Sequence, residues 1–299
     1  MGTILDIYTG YFGLKARPFA IAPDPGLLFW SSSHRRAYSL MEYSIVTKAP
    51  ITLVTGEVGT GKTLLIQHML RSVGDDVVFG VVSQVRGAAE DVLPWVLLAL
   101  GEEAAPSDTM VELFARFEAR LIREYAAGRR VVLVFDEAQN LSDNALEQIR
   151  TLTNMNTGTD ELLQVFLVGL SGLRDRIVAP ELQPLAHRIG AASHLPVMDV
   201  ETTGEYIRHR LQAVGGDVDL FSDEAVELIH ERTTGIARQV NQLCDFAMVY
   251  AFSKGNDRID RMTVQQVIKD GVFFGGQVVL PPAAEPVVPV TRMRTASKD

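Results

Sequence analysis

A glycine-rich turn between a short apolar run and a helical pattern constrains this chain more than any other feature. Residues 51–54, Ile-Thr-Leu-Val, form a short and mostly apolar run, as in a buried strand, and residues 64–68 have helical spacing. The turn and the residue after it read Gly56-Glu57-Val58-Gly59-Thr60-Gly61-Lys62-Thr63-Leu64. A strand, a G-x-x-x-x-G-K-[ST] turn and a helix form the context of a phosphate-binding loop. The alternative, a surface turn with a solvated lysine, would not require a strand and a helix on its two sides.

The chemistry of phosphate binding needs these residue types. Glycines let backbone N–H groups turn inward and approach phosphate oxygens, and the following helix adds the positive end of its dipole. Lys62 would bring a positive charge to the β- and γ-phosphates, and Thr63 would offer a hydroxyl to Mg²⁺. We therefore predict that residues 56–64 bind nucleotide, with ATP and Mg²⁺ as the cofactors.

A second motif follows about seventy residues later. Five apolar residues, 131–135, are typical of a central parallel strand, and Asp136 and Glu137 come directly after them. In an open α/β sheet, ligands bind at the carboxyl ends of the strands. Asp136 is predicted to hold Mg²⁺, directly or through water, and Glu137 to polarise the water that attacks the γ-phosphate. The alternative is an acidic turn that caps the next helix.

The order of elements predicts an α/β fold, namely a P-loop NTPase core in three layers with a parallel sheet. Strands are predicted at residues 51–54, 77–83, 131–135 and 162–170, with helices between them and a last short strand at 193–195. After Pro196 only helical patterns follow. We predict a lead-in segment that packs on the core (1–48), an ATPase core (49–198), a small all-helical lid (199–274) and a flexible tail (275–299).

Some local predictions concern helix starts and aromatic residues. Ser107 or Asp108 is predicted to cap the long helix before residue 130, and Thr202 or Thr203 to begin the first helix of the lid. Aromatic residues before the phosphate loop have two open interpretations. They line an adenine pocket, or they cover the edge of the sheet.

Composition limits the classes of protein. The chain has 299 residues, of which 47% are hydrophobic, so it can bury a large core. Its single cysteine, Cys244, excludes an internal disulfide and fits a reducing compartment. No apolar run reaches the roughly 18 residues of a membrane span, and no secretory signal is evident, so we expect no membrane insertion and a cytoplasmic location. The six histidines are scattered, which predicts no metal site beyond Mg²⁺.

Several motifs, in order along the chain, carry a resemblance to a known family. They are YFGLKARPF, TGEVGTGKT, VFDEAQNLS, LAHRIGAASHLPV, TTGEYIRHRLQAVGG and TTGIARQVNQLCD. Over roughly residues 11–270 the chain resembles the AAA+ ATPases of the general secretion pathway protein A, or ExeA, type, with their exosortase-associated and pilus-associated relatives. The resemblance implies an AAA+ core followed by a helical lid. Many relatives continue into a membrane span and a peptidoglycan-binding domain, and we expect that this chain does not itself anchor in the envelope.

The resemblance also implies roles for individual arginines. Arg238 lies where AAA+ lids carry a sensor-2 arginine, which touches the γ-phosphate. Arg188 lies near the expected place of an arginine finger, which reaches the nucleotide of a neighbouring subunit; Arg174 and Arg176 are its competitors. With Glu137 and Lys62, these arginines make up the predicted catalytic set.

Two positions depart from the pattern of the family. After the fourth strand the polar sensor-1 side chain is replaced by Leu170, for which Ser171 or Asn154 is a candidate substitute. Ala237 stands where proline is usual before the sensor-2 arginine. The first departure predicts slow hydrolysis.

Three functions remain open at this point. The first is an AAA+ ATPase that hydrolyses MgATP, forms a homo-oligomeric ring or filament with nucleotide, and acts on a protein partner in the assembly of a secretion or envelope machine. The second is a DNA-associated AAA+ ATPase of the transposition-regulator type, which the net charge of −9 and the pI near 5.2 disfavour. The third is a nucleotide-dependent scaffold with little hydrolysis.

Overall fold

A five-stranded parallel sheet forms the centre of the larger domain. The computed structural model describes residues 7–21, 28–83, 91–156 and 160–275, and the predicted tail lies almost entirely outside them. In the described part of the chain the strands are β1 (Ile51–Gly56), β2 (Val77–Val82), β3 (Arg130–Phe135), β4 (Leu163–Gly169) and β5 (Ile189–Leu195). Their order in the sheet is β2-β3-β4-β1-β5.

The two motifs follow strands that lie on either side of β4 and end at the same edge of the sheet. Leu167 of β4 pairs with Leu53 of β1 on one side and with Phe135 of β3 on the other. All strands run parallel, so their carboxyl ends share that edge. The glycine-rich turn after β1 and the acidic pair after β3 therefore face the same cleft.

Helices connect the strands and form the C-terminal domain. Those of the larger domain are α1 (Ser32–Val46), α2 (Lys62–Ser72), α3 (Leu93–Ala99), α4 (Met110–Ala126), α5 (Asp143–Leu152), α6 (Ser171–Ile177) and α7 (Gln183–Ala186). Those of the helical domain are α8 (Val200–Ala213), α9 (Asp223–Thr233), α10 (Ala237–Lys254) and α11 (Arg261–Lys269). Short 3₁₀ turns occupy Ala138–Asn140 and Pro180–Leu182.

Alternation along the buried strands produces the three layers. On β3, Val131, Leu133 and Phe135 pack with α3 to α7, whereas Val132 and Val134 pack with α1 and α2 on the other face. Every residue of β1 and β4 is buried, as expected for strands covered on both sides. The predicted three-layer core with a parallel sheet is confirmed.

We predicted that the lead-in segment packs on the core, but the first part of it packs on the helical domain instead. Tyr8, Leu14 and Phe19 are buried among the side chains of the helical domain, and both Tyr8 and Arg17 donate hydrogen bonds to Asp245 of α10. Only the later part, which includes α1, covers the sheet. Sequence spacing cannot reveal this, because the apolar residues of the segment have no periodicity that selects a partner.

The structure also corrects several local boundaries. β5 begins at Ile189 and not at 193, because small residues at an edge strand give no apolar run. Thr109, and not Ser107 or Asp108, caps α4, because its side chain and that of Glu112 form a reciprocal capping box. Asp199 caps α8 by accepting a hydrogen bond from the Thr202 N–H, so that helix begins before the predicted threonines.

Within the described ranges we find no helix with the length and apolar character to cross a bilayer.

Candidate functional site

The glycine-rich loop ends in left-handed backbone conformations that glycine adopts without strain. Gly59 has φ of 81° and Gly61 has φ of 99°, and α2 begins immediately afterwards at Lys62. A Cβ atom on Gly59 would lie 2.8 Å from the Cβ of Arg238, so the missing side chain also lets the helical domain approach the loop. The loop therefore presents its N–H groups at a helix N-terminus beneath the helical domain.

The side chain of Lys62 forms hydrogen bonds with the backbone of its own loop. Its Nζ donates to the carbonyl oxygens of Gly56 and Glu57, at 2.9 Å each. Burial lowers its pKa, and the nearby carboxylates of Glu137 and Asp136 partly oppose this shift. The ammonium group is thus held next to the space that the loop encloses, where an incoming phosphate would replace the two carbonyls as its partner.

Thr63 and Asp136 face each other across the cleft. The Thr63 hydroxyl donates to Asp136 Oδ2 at 2.9 Å, and the N–H of Glu137 donates to Oδ1 at 2.9 Å. Both carboxylate oxygens are therefore oriented, and the pair offers the hard oxygen ligands that Mg²⁺ prefers. The residues predicted to hold Mg²⁺ fit that ion, and the rest of its coordination would come from phosphate oxygens and water.

Glu137 adopts a left-handed conformation, with φ of 55°. This is uncommon for a residue with a side chain and often marks a functional position. Its carboxylate Oε2 accepts a hydrogen bond from Gln139 Nε2 at 2.6 Å. Glu137 lines the same cavity as Lys62, so the acidic side chain faces the place where phosphate would bind.

The helical domain contributes Arg238 to this cavity. The cavity has a volume of about 350 Å³, and Val58, Gly59, Lys62 and Thr63 line it from the core. The backbone N–H of Arg238 donates to the carbonyl of Gly59 at 3.3 Å, which fixes the start of α10 directly above the loop. This position agrees with the predicted sensor-2 role, which remains a prediction.

A second cavity of about 350 Å³ adjoins the first and shares Gly61, Leu64 and Arg210 with it. Its wall includes Phe29 and Tyr206, whose rings meet edge to face at 5.6 Å. The size and the mixed apolar and polar lining suit a nucleoside.

The aromatic residues before the loop lie in two different environments, and the adenine pocket stays a prediction. Phe29 lines the second cavity, whereas Trp30 and Tyr38 pack on His68 of α2, with ring centroids 5.0 Å and 5.3 Å from that imidazole.

His34 is a residue of the site that sequence reasoning missed. Its Nε2 lies 3.0 Å from the carbonyl oxygen of Thr60, and its Nδ1 lies 2.7 Å from Ser31 Oγ. Because a carbonyl only accepts, Nε2 carries the proton and Nδ1 accepts from the serine. Burial lowers the pKa of His34, so the neutral form is favoured. In the sequence His34 simply follows three serines, and this pattern does not indicate a contact with a loop 26 residues away.

The two candidates for the missing sensor-1 side chain lie at opposite edges of the sheet. Ser171 is close to the loop, where its hydroxyl donates to Glu57 Oε1 at 2.6 Å. Asn154 instead accepts a hydrogen bond from Arg188. Arg188 precedes β5, whose first residue Ile189 pairs with Ile51, so both lie at the amino-terminal edge of the sheet. Asn154 is therefore wrong as a substitute within its own subunit.

The same position means that Arg188 cannot reach the nucleotide site of its own chain. The strand between the two edges spans roughly 20 Å at about 3.3 Å per residue. At its own edge Arg188 also faces Glu161, with Nη1 3.5 Å from Oε1. Only a second copy of the chain would bring this arginine to a phosphate, so its role as a finger remains a prediction.

The competing arginine Arg176 has a structural role. It donates to the carbonyl oxygens of Gln139 and Leu141, at 2.9 Å each, and to Asp143 Oδ1 at 2.6 Å. These bonds fix the segment that follows the acidic pair. Arg174 lies on the exposed side of the short helix α6.

Comparisons with known proteins give matches over the part of the chain that carries these motifs. Residues 46–177, which include both motifs, match the family model described as "AAA domain". General secretion pathway protein A of Aeromonas hydrophila is 34% identical to this chain over 256 residues, which make up 85% of the chain and 46% of that protein. The chain thus spans less than half the length of this relative.

Solved structures with similar folds have much lower identity. Cdc6p from Pyrobaculum aerophilum has a TM-score of 0.67 and 16% identity over 86% of this chain and 71% of its own. ORC2 of Aeropyrum pernix, in its ADPNP-ADP complexes, has a TM-score of 0.65 and 16% identity over 85% and 71% of the two chains. At this identity the likeness concerns the fold alone.

Proposed function

We propose that this chain, which belongs to the AAA+ ATPases of the general secretion pathway protein A type, binds and hydrolyses MgATP in the cytoplasm and forms homo-oligomers with nucleotide. We further propose that it assists a protein partner in the assembly of a bacterial secretion or envelope machine. The observation that carries the proposal is one cleft that combines Lys62 and Thr63 on the loop, Asp136 and Glu137 after β3, and Arg238 from the helical domain.

Each residue has a defined task in this proposal. Loop N–H groups and Lys62 bind the β- and γ-phosphates. Thr63 and Asp136 would hold Mg²⁺, whose charge would offset that of the phosphates. Glu137 orients a water molecule and accepts its proton as the oxygen attacks the γ-phosphate; the bond from the γ-phosphorus to the β,γ-bridging oxygen breaks, and ADP leaves with that oxygen.

Charge that develops on the transferred group is stabilised by three cations. Lys62 and Arg238 act within the chain, and Arg188 of a second copy completes the site.

The test compares ATP turnover and nucleotide binding for the parent chain and for Glu137→Gln. We expect Glu137→Gln to bind ATP with unchanged affinity and to lose at least about 100-fold in kcat, because the amide cannot accept a proton. Glu181→Gln, an exposed glutamate on the 3₁₀ turn after α6, is the matched control and should behave as the parent. Turnover by Glu137→Gln at the parental rate would refute the assignment.

Oligomerisation is tested separately, by light scattering after size-exclusion chromatography with and without MgATP. A discrete increase in mass with ATP, strongest for Glu137→Gln, supports a site shared between subunits. An unchanged mass while ATP is bound removes Arg188 from the proposal and favours a monomeric switch.

The scaffold alternative has a specific basis in Leu170, the apolar residue at the sensor-1 position, which lines the phosphate cavity. ATP binding without measurable turnover would favour it over hydrolysis. The DNA alternative has no comparable basis at this site, and a salt-dependent shift of duplex DNA with ATP would be needed to revive it.

A further inference from the structure

The side chain of Gln139 connects the acidic pair to the end of the neighbouring strand. Its Nε2 donates to Glu137 Oε2 at 2.6 Å, and its Oε1 accepts from the backbone N–H of Leu170 at 3.0 Å. Leu170 is the position at which the family carries a polar sensor-1 residue. One amide therefore bridges the carboxylate after β3 and the backbone after β4.

The orientation of this amide follows from its two partners. A backbone N–H only donates and a carboxylate oxygen only accepts, so the amide oxygen must face Leu170 and the NH₂ group must face Glu137. The reversed orientation would place two donors together and two acceptors together.

The surroundings hold Gln139 in place from two sides. A Cβ atom on Gly169 would lie 2.8 Å from its Oε1 and 3.3 Å from its backbone N, so the glycine at the end of β4 makes room for the bridge. On the other side, Arg176 donates to the carbonyl of Gln139 at 2.9 Å. The bridge is thus built into the fold and does not rest on a loose surface side chain.

We infer that Gln139 is the positioning residue that replaces the missing sensor-1 side chain by fixing the carboxylate of Glu137 against the end of β4. The inference rests on the proposed function, because it assumes that Glu137 activates the attacking water. A fixed carboxylate meets the water in one geometry, whereas a free one samples many, and small misplacements of a catalytic group are costly. Leu170 donates through its backbone, so its apolar side chain does not interrupt the link.

The test measures kcat and KM for ATP in Gln139→Met, which keeps the length of the side chain and removes both hydrogen bonds. We expect kcat to fall about 10- to 100-fold while KM and the affinity for a fluorescent ATP analogue stay within about threefold. Gln183→Met, an exposed glutamine at the start of α7, is the matched control and should leave both constants unchanged. Circular dichroism and the thermal midpoint verify that Gln139→Met is folded.

Gln139→Glu provides a second test, because it keeps an acceptor for Leu170 and replaces the donor by a carboxylate that repels Glu137. We expect it to lower kcat at least as much as Gln139→Met. A purely structural bridge to Leu170 would instead leave Gln139→Glu close to the parent, and that result would overturn the inference.

A double-variant cycle separates the inference from the function on which it rests. If Gln139 acts through Glu137, adding Gln139→Met to Glu137→Gln lowers the residual kcat no further. If Glu137→Gln alone leaves turnover unchanged, the proposed function fails. If Glu137→Gln abolishes turnover but Gln139→Met keeps or raises kcat, the proposed function stands and only this inference is overturned.

Discussion

The guanidinium of Arg210, on the first helix of the helical domain, donates from Nε to the backbone carbonyl of Pro18 in the lead-in segment at 2.5 Å. A second bond runs to the carbonyl of Ala20 at 3.4 Å, and the guanidinium carbon lies 5.8 Å from the centre of the Tyr206 ring. Arg210 is only 5% exposed, and among the residues that the structure describes no carboxylate forms an ion pair with it. A buried cation thus ties the lead-in segment to the helical domain beside the nucleotide cleft.

We expect Arg210→Met to loosen this segment. The methionine fills the space of the stem but leaves two carbonyls without their charged donor, so the free energy of unfolding should fall by about 1–3 kcal/mol. Nucleotide affinity should fall as well, because Ala20 and Ile21 line the phosphate cavity.

Denaturant unfolding and titration with a fluorescent ATP analogue measure the two effects. The control is Arg208→Met on the same helix, whose ion pair with Asp223 is exposed and whose loss should change stability by no more than about 0.5 kcal/mol. Equal losses of stability and of affinity for the ATP analogue in Arg210→Met and Arg208→Met would contradict the inference that Arg210 ties the lead-in segment to the helical domain.

Lys62→Ala should strongly weaken nucleotide binding. A hydrogen bond to a charged group contributes roughly 1.5–3 kcal/mol, so the affinity for ATP should fall by about 10- to 150-fold or more. Lys48→Ala, which removes an exposed lysine paired with Asp160, should bind ATP as the parent does. Titration with a fluorescent analogue in the presence of Mg²⁺ checks both variants, and unchanged binding by Lys62→Ala would disprove the phosphate role of the loop.

Asp136→Asn should raise the requirement for Mg²⁺. The amide keeps an acceptor for Thr63 but loses the negative charge that attracts the cation. The Mg²⁺ concentration for half-maximal ATP turnover should rise about 10- to 100-fold, and nucleotide binding without Mg²⁺ should change little. Asp175→Asn on the exposed side of α6 is the control. The prediction fails if both variants share the Mg²⁺ dependence of the parent.

A mixing experiment should show that Arg188 acts on a neighbouring subunit. Arg188→Ala and Glu137→Gln are each expected to be inactive alone. In an equal mixture, an active site forms wherever Glu137 of one variant meets Arg188 of the other, so random assembly should restore about a quarter of the parental rate.

The control for this experiment is a mixture of Arg238→Ala with Glu137→Gln. Arg238 contacts the loop of its own chain, so no subunit of that mixture has both Glu137 and Arg238, and no activity should return. Equal recovery in both mixtures, or recovery in neither, would contradict the assignment of Arg188 as the residue that acts between subunits.

His34 should make stability depend on pH below neutrality. Burial lowers its pKa in the folded chain below the ordinary value of 6.5, so on acidification the unfolded chain binds a proton first. The contribution of neutral His34 is therefore complete above about pH 6.5 and is lost as the pH falls through the lowered value of the folded state. Unfolding free energies at about pH 8 and about pH 5.5 should fall more for the parent than for His34→Gln.

His209, whose pKa burial also lowers, contributes equally to the parent and the variant and cancels in the difference. Identical losses of stability in the parent and in His34→Gln would show that burial does not hold His34 in its neutral form.

The sequence by itself determined the elements whose signals are local. The left-handed backbone of the loop requires glycine at 59 and 61, and burial of β3 on both faces requires a continuous apolar run before Asp136. Both requirements are visible in the sequence. The motif spacing, together with the rule that ligands bind at the carboxyl edge of a parallel sheet, was therefore enough to predict that Lys62, Thr63, Asp136 and Glu137 share one cleft.

Only the tertiary structure decided the contacts that depend on strand order and on distant segments. The place of β4 between β1 and β3 puts Gln139 against Leu170, which no local pattern encodes. The partners of His34 and Arg210 are backbone carbonyls, whose chemistry is the same at every residue. Such contacts arise from the packing of the whole chain, because a carbonyl acceptor leaves no signature in the amino-acid sequence.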